Sequence, residues 1–329
     1  MADPNKWMGL LRWSMQQQDG TRPSEFKAMD PHDREWLERV MKECVIDEIE
    51  RMHQIIRIWS DEDPRVVLPK LIEDPPENPF TQDEIDDYKE ALLDEMLTRI
   101  DQIDNAQTFV KIGGLPSLLA LFENARPTTR ALAAEVFATC AQNNPPVQKA
   151  GLDASVIEAL CKMVTEDSDA ECRSKALLGI SCMVRSLDKT SERWFVTKCN
   201  GLEVLQRTLD TGDVRLRRRS LFLLRYLVNA SIDNARALLQ QGVYVRVCAS
   251  LVGGDDVDLN ESSLQALSEF ATLGADFKAA CKAPELKLVA TIQARLAAIA
   301  ALSGEDKEYA QEEAAFARLL LENLDILDN

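Results

Sequence analysis

The sequence has little of the chemistry that enzymes need. Its 329 residues include only two histidines, His32 and His53. It contains no glycine-rich phosphate loop, nucleophile elbow or metal-binding motif. Paired carboxylates are frequent, but in so acidic a chain we interpret them as surface charge. We therefore expect a protein that is not an enzyme and that holds no cofactor and no metal.

Cysteine chemistry is also missing. The eight cysteines form no CxxC pair and no Cys/His cluster with the spacing of a zinc site. Most of them lie inside apolar helical patterns, where a free cysteine behaves as a small buried hydrophobe. Together with the absence of a signal peptide, this predicts a reducing compartment, the cytoplasm, with the nucleus as the alternative.

Positive charge and long apolar segments are scarce. Lys and Arg number 38 against 55 Asp and Glu, which gives a net charge of −17. Such a surface repels the phosphates of nucleic acid and anionic membranes. No apolar run approaches the roughly 18 residues that a membrane helix requires. Partners of these two kinds are therefore not expected.

Four segments share one pattern and recur at nearly constant spacing: ALAAEVFATCA, SKALLGISCMV, RSLFLLRYLVN and ESSLQALSEFA. Aligning Glu135, Leu178, Phe222 and Gln265 gives steps of 43, 44 and 43 residues. A fixed period near 40 in a helix-rich sequence is typical of a helical repeat array, in which each unit buries its apolar face against its neighbours. We predict an all-α solenoid, and nothing in the sequence demands more than a monomer.

Each predicted unit opens with a short helix, followed by a glycine-containing turn, a medium helix, a polar turn and a long helix. The long helices are predicted at 128–142, 170–187, 214–230 and 259–273. A sharp turn between helices often needs a positive φ, which glycine adopts without strain. The predicted turn glycines are Gly113–Gly114, Gly151, Gly201 and Gly242.

The predicted organisation has five parts. Residues 1–29 form a flexible N-terminal segment, and residues 30–80 contain a helix over 31–60 and a proline-rich connection. Residues 81–104 form a capping helix, whose start at Thr81 and Glu84 matches a capping box. Residues 105–283 form four repeats. Residues 284–329 form a C-terminal helical cap that ends in an acidic helix at about 305–327.

Three stretches of the sequence resemble one known family. They are LLRWSMQQQDGT at Leu10–Thr21, REWLERVMKECVIDEIERMHQII within the 31–60 helix, and LDEMLTRIDQIDNAQTFVKIGGLPSLL at Leu93–Leu119. The phrase NAQTFVKIGGLPSLLALF resembles the start of an armadillo repeat. In this order the three stretches resemble the Hsp70-binding protein family, the cytosolic, Fes-type armadillo nucleotide exchange factors of heat-shock-protein-70 chaperones.

The resemblance implies that a concave armadillo surface binds the ATPase domain of the chaperone and promotes ADP release. It also implies that the N-terminal segment acts near the chaperone's substrate-binding domain. Trp7, Leu10, Leu11 and Trp13 would then form a release element; in the alternative interpretation, this apolar patch docks on the first helix. The alternative function is a scaffold or adaptor that binds another protein or an extended peptide in the same groove.

In armadillo arrays the long helix of each repeat lines the concave face, and residues four apart lie on the same side of it. Nuclear-import adaptors of this fold repeat Trp and Asn at these positions. This chain instead has Glu135/Thr139, Leu178/Cys182, Phe222/Tyr226 and Gln265/Glu269. Because no Trp–Asn pair occurs, a globular partner fits better than an import cargo.

The third long helix, VRLRRRSLFLLRYLVNA, concentrates positive charge on an acidic protein. Arginine makes bidentate contacts with carboxylates, which favours an acidic lobe of a partner. The alternative is a solvated face that pairs with Asp210, Asp213 and neighbouring Glu residues, with Phe222 and Tyr226 in the core between repeats. The residues expected to contact the partner on this helix are Arg218, Phe222, Arg225, Tyr226 and Asn229, and Arg185 of the preceding helix is a further candidate.

Overall fold

The structure is a computed structural model. It describes residues 31, 32, 34, 35, 37, 48–68, 79–186 and 188–326. The chain divides into two units, residues 1–55 and 56–329. Within the predicted helix over 31–60, the five described residues before residue 40 are helical, and Glu48–Trp59 form helix α1. Its remaining residues lie outside the described part of the chain.

Every regular element of the second unit that the structure describes is helical. These helices are α2 Pro64–Val67, α3 Gln82–Ile100, α4 Ile103–Lys111, α5 Gly114–Ala120, α6 Pro127–Ala141, α7 Pro145–Asp153, α8 Val156–Glu166, α9 Ala170–Val184, α10 Thr190–Lys198, α11 Gly201–Thr211, α12 Val214–Ala230, α13 Ile232–Gln241, α14 Val243–Leu251, α15 Val257–Ala271, α16 Ala275–Cys281, α17 Leu288–Ala300, α18 Glu305–Tyr309 and α19 Gln311–Asn323. Two 3₁₀ turns lie at Leu121–Glu123 and Pro284–Leu286.

A group of three helices, corresponding to the predicted short, medium and long helix, recurs along this unit, and in the first four groups the third helix is the longest. It appears in α4–α6, α7–α9, α10–α12 and α13–α15, and again in α16, α17 and α19. The long helices pack in succession, from α3 through α6, α9, α12 and α15 to α19, while the medium helices α8, α11 and α14 pack in a second row. This layering is the arrangement expected of a solenoid, in which each repeat contacts its neighbours.

The long helices begin and end within three residues of the predicted positions. The reason is visible at their N-termini. Asp169, Asp213 and Asp256 precede α9, α12 and α15, and each side chain accepts a hydrogen bond from the backbone N–H three residues later. The predicted capping box of Thr81 and Glu84 opens α3 in the same way. One aspartate in each of these three polar turns is therefore a helix cap.

The predicted turn glycines are correct at two places and wrong at two. Gly113 and Gly242 adopt φ values of +86° and +69° between the short and medium helices. Gly151, in contrast, lies within α7, and the turn falls at Ser155 with a φ of +56°. A Cβ atom on Gly151 would lie 3.0 Å from the ring of Phe137, so the position is small because the preceding helix α6 packs against it.

A similar shift occurs at Gly201, which is the first residue of α11 and follows Asn200 with a φ of +50°. Asparagine tolerates the left-handed region better than most residues do. A Cβ atom on Gly201 would lie 2.3 Å from the ring of Phe195, and one on Gly114 would lie 2.1 Å from Phe109. These two glycines are thus required by the close approach of an aromatic ring.

The acidic C-terminal helix predicted at about 305–327 is interrupted at Ala310, which separates α18 from α19. Helix α19 packs against both α15 and α17 and extends the row of long helices. Its Glu313 is buried and accepts two hydrogen bonds from Arg295 of α17, at 2.6 and 2.8 Å. The boundary between the last repeat and the cap stays a prediction.

The cysteines of the described residues are free thiols, and all of them except the half-buried Cys199 are buried. Burial raises the pKa of the Cys172 and Cys281 thiols to about 12. They are therefore protonated at neutral pH and poor nucleophiles. Within the described ranges, no group of His, Cys, Asp and Glu could hold a metal ion. None of the described helices is long and apolar enough to cross a membrane.

Candidate functional site

The predicted contact residues lie on the row of long helices, and their exposure differs. We call the solvent side of α6, α9, α12 and α15 the long-helix face. Phe222, Arg218 and Asn229 of α12 are exposed, as is Arg185, which follows the last residue of α9. Cys182 is buried, with 7% of its surface exposed. The remaining predicted residues of this face are half-buried: Glu135, Thr139, Leu178, Arg225, Tyr226, Gln265 and Glu269.

Ion pairs join each long helix to the next across this face. Lys175 of α9 lies 2.6 Å from Glu135 of α6. Arg215 of α12 lies 2.5 Å from Glu171 of α9. These pairs bridge residues about 40 positions apart in the sequence, so each one links neighbouring repeats and fixes the stagger of their helices.

The α12–α15 junction carries the most complete pairing. Arg225 donates to both carboxylate oxygens of Glu269, at 3.1 Å from Nε and 2.5 Å from Nη2. Asn229 adds a hydrogen bond of 3.2 Å to the same carboxylate. All three were predicted to meet a partner, and in the structure of the free protein they bind one another. Their contact with a partner stays a prediction.

Arg218 is also paired within the chain. Its guanidinium lies 2.8 Å from Asp256 and 2.7 Å from Asp258 of α15. The hydrogen bond from Arg218 holds the pKa of Asp256 below its usual value. Arg218 thus pairs within the chain, but with other residues than the Asp210 and Asp213 of the sequence-based alternative, and its contact with a partner stays a prediction. Asp213 caps α12 through Leu216, and the carbonyl of Asp210 accepts from Arg217 at 3.1 Å.

Phe222 is the exposed apolar centre of the face, with 52% of its surface exposed. The guanidinium of Arg185 lies over its ring, 5.0 Å from the centroid. One turn further along α12, the Lys189 ammonium lies 4.6 Å from the ring centroid of Tyr226 and donates to its hydroxyl. The connection between α9 and α10 thus places two cations on the rings of α12. Hydrogen bonds to Tyr226 and Glu192 raise the pKa of Lys189.

Arg219 was not predicted as a contact residue, although the repeat alignment contains the signal. Arg219 occupies the position of Lys175 one repeat later. Lys175 pairs with Glu135 of the preceding long helix, but the residue equivalent to Glu135 one repeat later is Leu178, which has no charge to offer Arg219. Within the described ranges, neither Arg219 nor Arg185 has an ion pair with a carboxylate. Burial raises the pKa of the Cys182 thiol, and the positive charges of Arg185 and Arg219 partly oppose this increase. Both guanidiniums therefore lie close to the Cys182 thiol.

Phe222, Arg185 and Arg219 together form what we call the Phe222 patch. An exposed aromatic ring flanked by arginines is the composition found at the energetic centres of protein interfaces. A carboxylate of a partner can bind these guanidiniums without displacing an internal one. The patch is thus suited to a protein surface that presents an apolar pocket beside acidic side chains.

The predicted N-terminal release element falls in the part of the chain that the structure does not describe. Trp7, Leu10, Leu11 and Trp13 lie outside the described residues. Its assignment depends on the sequence.

Comparison with known proteins gives consistent matches along the chain. Residues 8–109 match the family model described as "Nucleotide exchange factor Fes1", and residues 105–241 match the "SIL1/FES1/HPBP1 C-terminal domain". Hsp70-binding protein 1 of Mus musculus is 26% identical over 326 residues, which cover 97% of this chain and 85% of that protein. Hsp70 nucleotide exchange factor fes1 of Schizosaccharomyces pombe is 26% identical over 162 residues, covering 47% of this chain and 54% of that protein.

The fold is similar to that of a designed armadillo repeat protein solved in complex with the peptide (KR)4. The two share a TM-score of 0.61 and 12% identity over 85% of this chain and 100% of that one. The predicted all-α armadillo solenoid is therefore confirmed.

Proposed function

Because the chain belongs to the family of Hsp70 nucleotide exchange factors, we propose that it binds the ATPase domain of an Hsp70-class chaperone through its long-helix face and promotes ADP release. The observation that carries the choice of surface is the Phe222 patch. The cations that join the long helices are paired with carboxylates, whereas among the described residues Arg185 and Arg219 have no carboxylate partner and flank an exposed ring. A chaperone surface with acidic side chains supplies what they lack.

The mechanism needs no catalytic group on this chain. A protein that binds the nucleotide-free chaperone more tightly than the ADP-bound form must weaken ADP binding by the same factor. What the surface has to supply is differential affinity for two arrangements of the ATPase lobes. A rigid face does this best, because little conformational entropy is lost on binding.

The ion pairs between long helices provide that rigidity. The pairs of Glu135 with Lys175, Glu171 with Arg215 and Glu269 with Arg225 link four successive helices. They hold the helices that carry the Phe222 patch at a fixed stagger. We infer that most charged residues of this face fix the arrangement of its helices, while the Phe222 patch contacts the chaperone.

The decisive measurement is stopped-flow release of fluorescent ADP from a cytosolic chaperone of the Hsp70 class. We expect this protein to accelerate release saturably, by at least about fivefold, the lower end of ordinary coupling free energies. An unrelated designed armadillo protein at the same concentration serves as the control for a non-specific effect. Unchanged release would contradict the proposal and leave the scaffold function, in which the same groove binds another protein or a peptide.

We also propose that Trp7, Leu10, Leu11 and Trp13 act on the client rather than on the nucleotide. Support comes from the sequence resemblance of the segment, since these residues lie outside the described part of the chain. Deletion of residues 1–29 is expected to leave ADP release unchanged and to slow the release of a fluorescent client peptide from the chaperone. Slower ADP release after this deletion would show that the two activities are not separate.

Three further parts of the proposal depend on sequence alone. The net charge of −17 argues against nucleic acid as a partner. The cysteine content favours a reducing compartment, the cytoplasm or the nucleus. A monomer suffices for the proposed binding mode.

A further inference from the structure

One arginine position recurs in the long helices and has different surroundings in each repeat. The fourth residue of α6, α9 and α12 is Arg130, Arg173 and Arg217, respectively. Side chains in the first turn of a helix point back towards its N-terminus. Each of these arginines therefore faces the turn between the medium and the long helix.

Arg130 shows which ligand this position takes. Its Nε and Nη2 donate to the two carboxylate oxygens of Asp167, at 2.7 and 2.8 Å. Its Nη1 donates to the carbonyls of Asn124 and Ala125. Asp167 is the residue that follows the last residue of α8, the medium helix of the next repeat. The guanidinium and the carboxylate thus form a bidentate pair between repeats.

Arg173 has no such carboxylate. The residue that follows the corresponding medium helix, α11, is Gly212, which has no side chain. The Nε of Arg173 is buried and, among the described residues, makes no hydrogen bond; the Nε of Arg217 shares this property. Leaving a buried donor of a charged group without a partner is costly. A Cβ atom on Gly212 would lie 2.1 Å from the carbonyl oxygen of Thr208, so this position cannot supply the missing acid.

A cleft of about 160 Å³ lies at this point and is lined by Arg173, Arg207 and Gly212. No carboxylate lines the cleft. Arg207 binds Glu203 at 2.6 Å, and its cationic side chain still borders the opening. Since a water molecule takes about 30 Å³ of liquid volume, the space is sufficient for a tetrahedral oxyanion.

We propose that this cleft binds an oxyanion, a carboxylate or a phosphate, through the Nε and Nη groups of Arg173, in the way that Arg130 binds Asp167. The site is separate from the Phe222 patch. Arg173 lies in the first turn of α9 and Arg185 follows its last residue, a distance of about 18 Å along the helix. The inference therefore holds whether or not the proposed exchange function is correct.

The orphaned Nε–H of Arg173 can be observed directly. In the full-length ¹⁵N-labelled protein, Arg173→Gln removes one Arg Nε–Hε cross-peak and so identifies it. Inorganic phosphate, titrated at constant ionic strength with chloride, is expected to move this peak downfield and to saturate, and acetate to do the same. The same phosphate series should raise the thermal midpoint by about 2 °C at ten times the dissociation constant.

Arg217→Gln is the matched control, because Arg217 holds the equivalent position and also has a buried, unpaired Nε, but its Nη2 donates to the carbonyl of Asp210 and its side chain does not line the cleft. Arg217→Gln should retain both the movement of the Arg173 peak and the rise in thermal midpoint, whereas Arg173→Gln should lose the rise in thermal midpoint. Arg173→Lys serves the assignment if the Gln variant does not fold. An Arg173 peak that stays fixed, or that moves linearly to the highest phosphate concentration, would overturn the proposal.

A third arm separates the two sources of the oxyanion. The unlabelled ATPase domain of an Hsp70-class chaperone is added without phosphate. Movement of the Arg173 peak would identify an acidic side chain of the partner as the ligand. A peak that responds to phosphate but not to the chaperone would identify a free anion.

Discussion

Replacement of Phe222 by alanine is expected to raise by about 30-fold the concentration of this protein that half-maximally accelerates ADP release from the chaperone. Truncation of a residue at the centre of an interface typically costs about 2 kcal/mol or more in binding, and about 1.4 kcal/mol corresponds to a factor of ten. The maximal release rate should change little, because the variant still binds at high concentration.

The fold should tolerate this substitution. Phe222 has 52% of its surface exposed, so the free protein buries little of the ring. The guanidinium of Arg185 lies 5.0 Å from the ring centroid, and such contacts contribute about 0.5–1 kcal/mol at exposed sites. Thermal unfolding of Phe222→Ala should therefore stay close to that of the unmodified protein. A large fall in its midpoint would mean that the ring belongs to the core between repeats.

The matched control is Tyr309→Ala. Tyr309 is an exposed aromatic residue in α18, with 79% of its surface exposed, and it lies outside the long-helix face. Its truncation removes a similar ring without touching the Phe222 patch. If the unmodified protein and Phe222→Ala had equal half-maximal concentrations, the assignment of the Phe222 patch to the interface would be wrong. If Tyr309→Ala raised the half-maximal concentration as much as Phe222→Ala does, the chaperone would bind a different surface of this protein.

Periodicity alone predicted which residues of the long helices share a face. The steps of 43, 44 and 43 residues placed Glu135, Leu178, Phe222 and Gln265 at equivalent positions, and the structure has each on a long helix of the row. Helix ends were predictable too, because an aspartate at a cap acts on the backbone within three residues. These features depend on local sequence.

The pairing of charges could not be predicted, since it depends on the stagger between neighbouring helices. Arg225 was assigned to the partner because it belongs to a basic helix, yet Glu269 on the next long helix binds it with both oxygens. Arg219 is the converse case, because its missing partner becomes visible only once Lys175 is seen to pair with Glu135. A repeat alignment identifies such exceptions after one junction is known.

The largest loss of stability is expected from Asp167→Ala. The side chains of Asp167 and Arg130 are only 6% and 14% exposed to solvent, respectively. Removal of one partner leaves the other as a buried, unpaired charge, which typically costs about 3 kcal/mol or more. The backbone N–H of Asp169 loses its acceptor as well. Urea unfolding followed by circular dichroism should show a lower midpoint for this variant.

An exposed pair in the same repeats provides the control. Lys162 and Glu123 lie 2.8 Å apart, with 54% and 70% of their side chains exposed. Exposed pairs contribute at most about 1 kcal/mol, so Glu123→Ala should have a small effect. If both variants lost the same stability, the burial of the Arg130–Asp167 pair would not matter to the fold.

The effect of Asp167→Ala should also depend on pH. The hydrogen bonds from Arg130 hold the pKa of Asp167 below its usual value of 3.8, against the opposing effect of burial. A carboxyl whose pKa is lower in the folded state stabilises the protein above its unfolded pKa, and this contribution is lost as the pH falls through the folded pKa. The difference between the unmodified protein and Asp167→Ala should therefore be full at neutral pH and shrink in acid.

A double substitution separates the cost of an orphaned charge from the net value of the pair. Arg130→Met combined with Asp167→Leu removes both charges and fills the space with apolar groups, and such replacements are often neutral or stabilising. We expect it to recover most of the stability that Asp167→Ala loses. If the double variant were as unstable as the single one, the pair would contribute net stability of its own, because no unpaired charge would then remain to explain the loss.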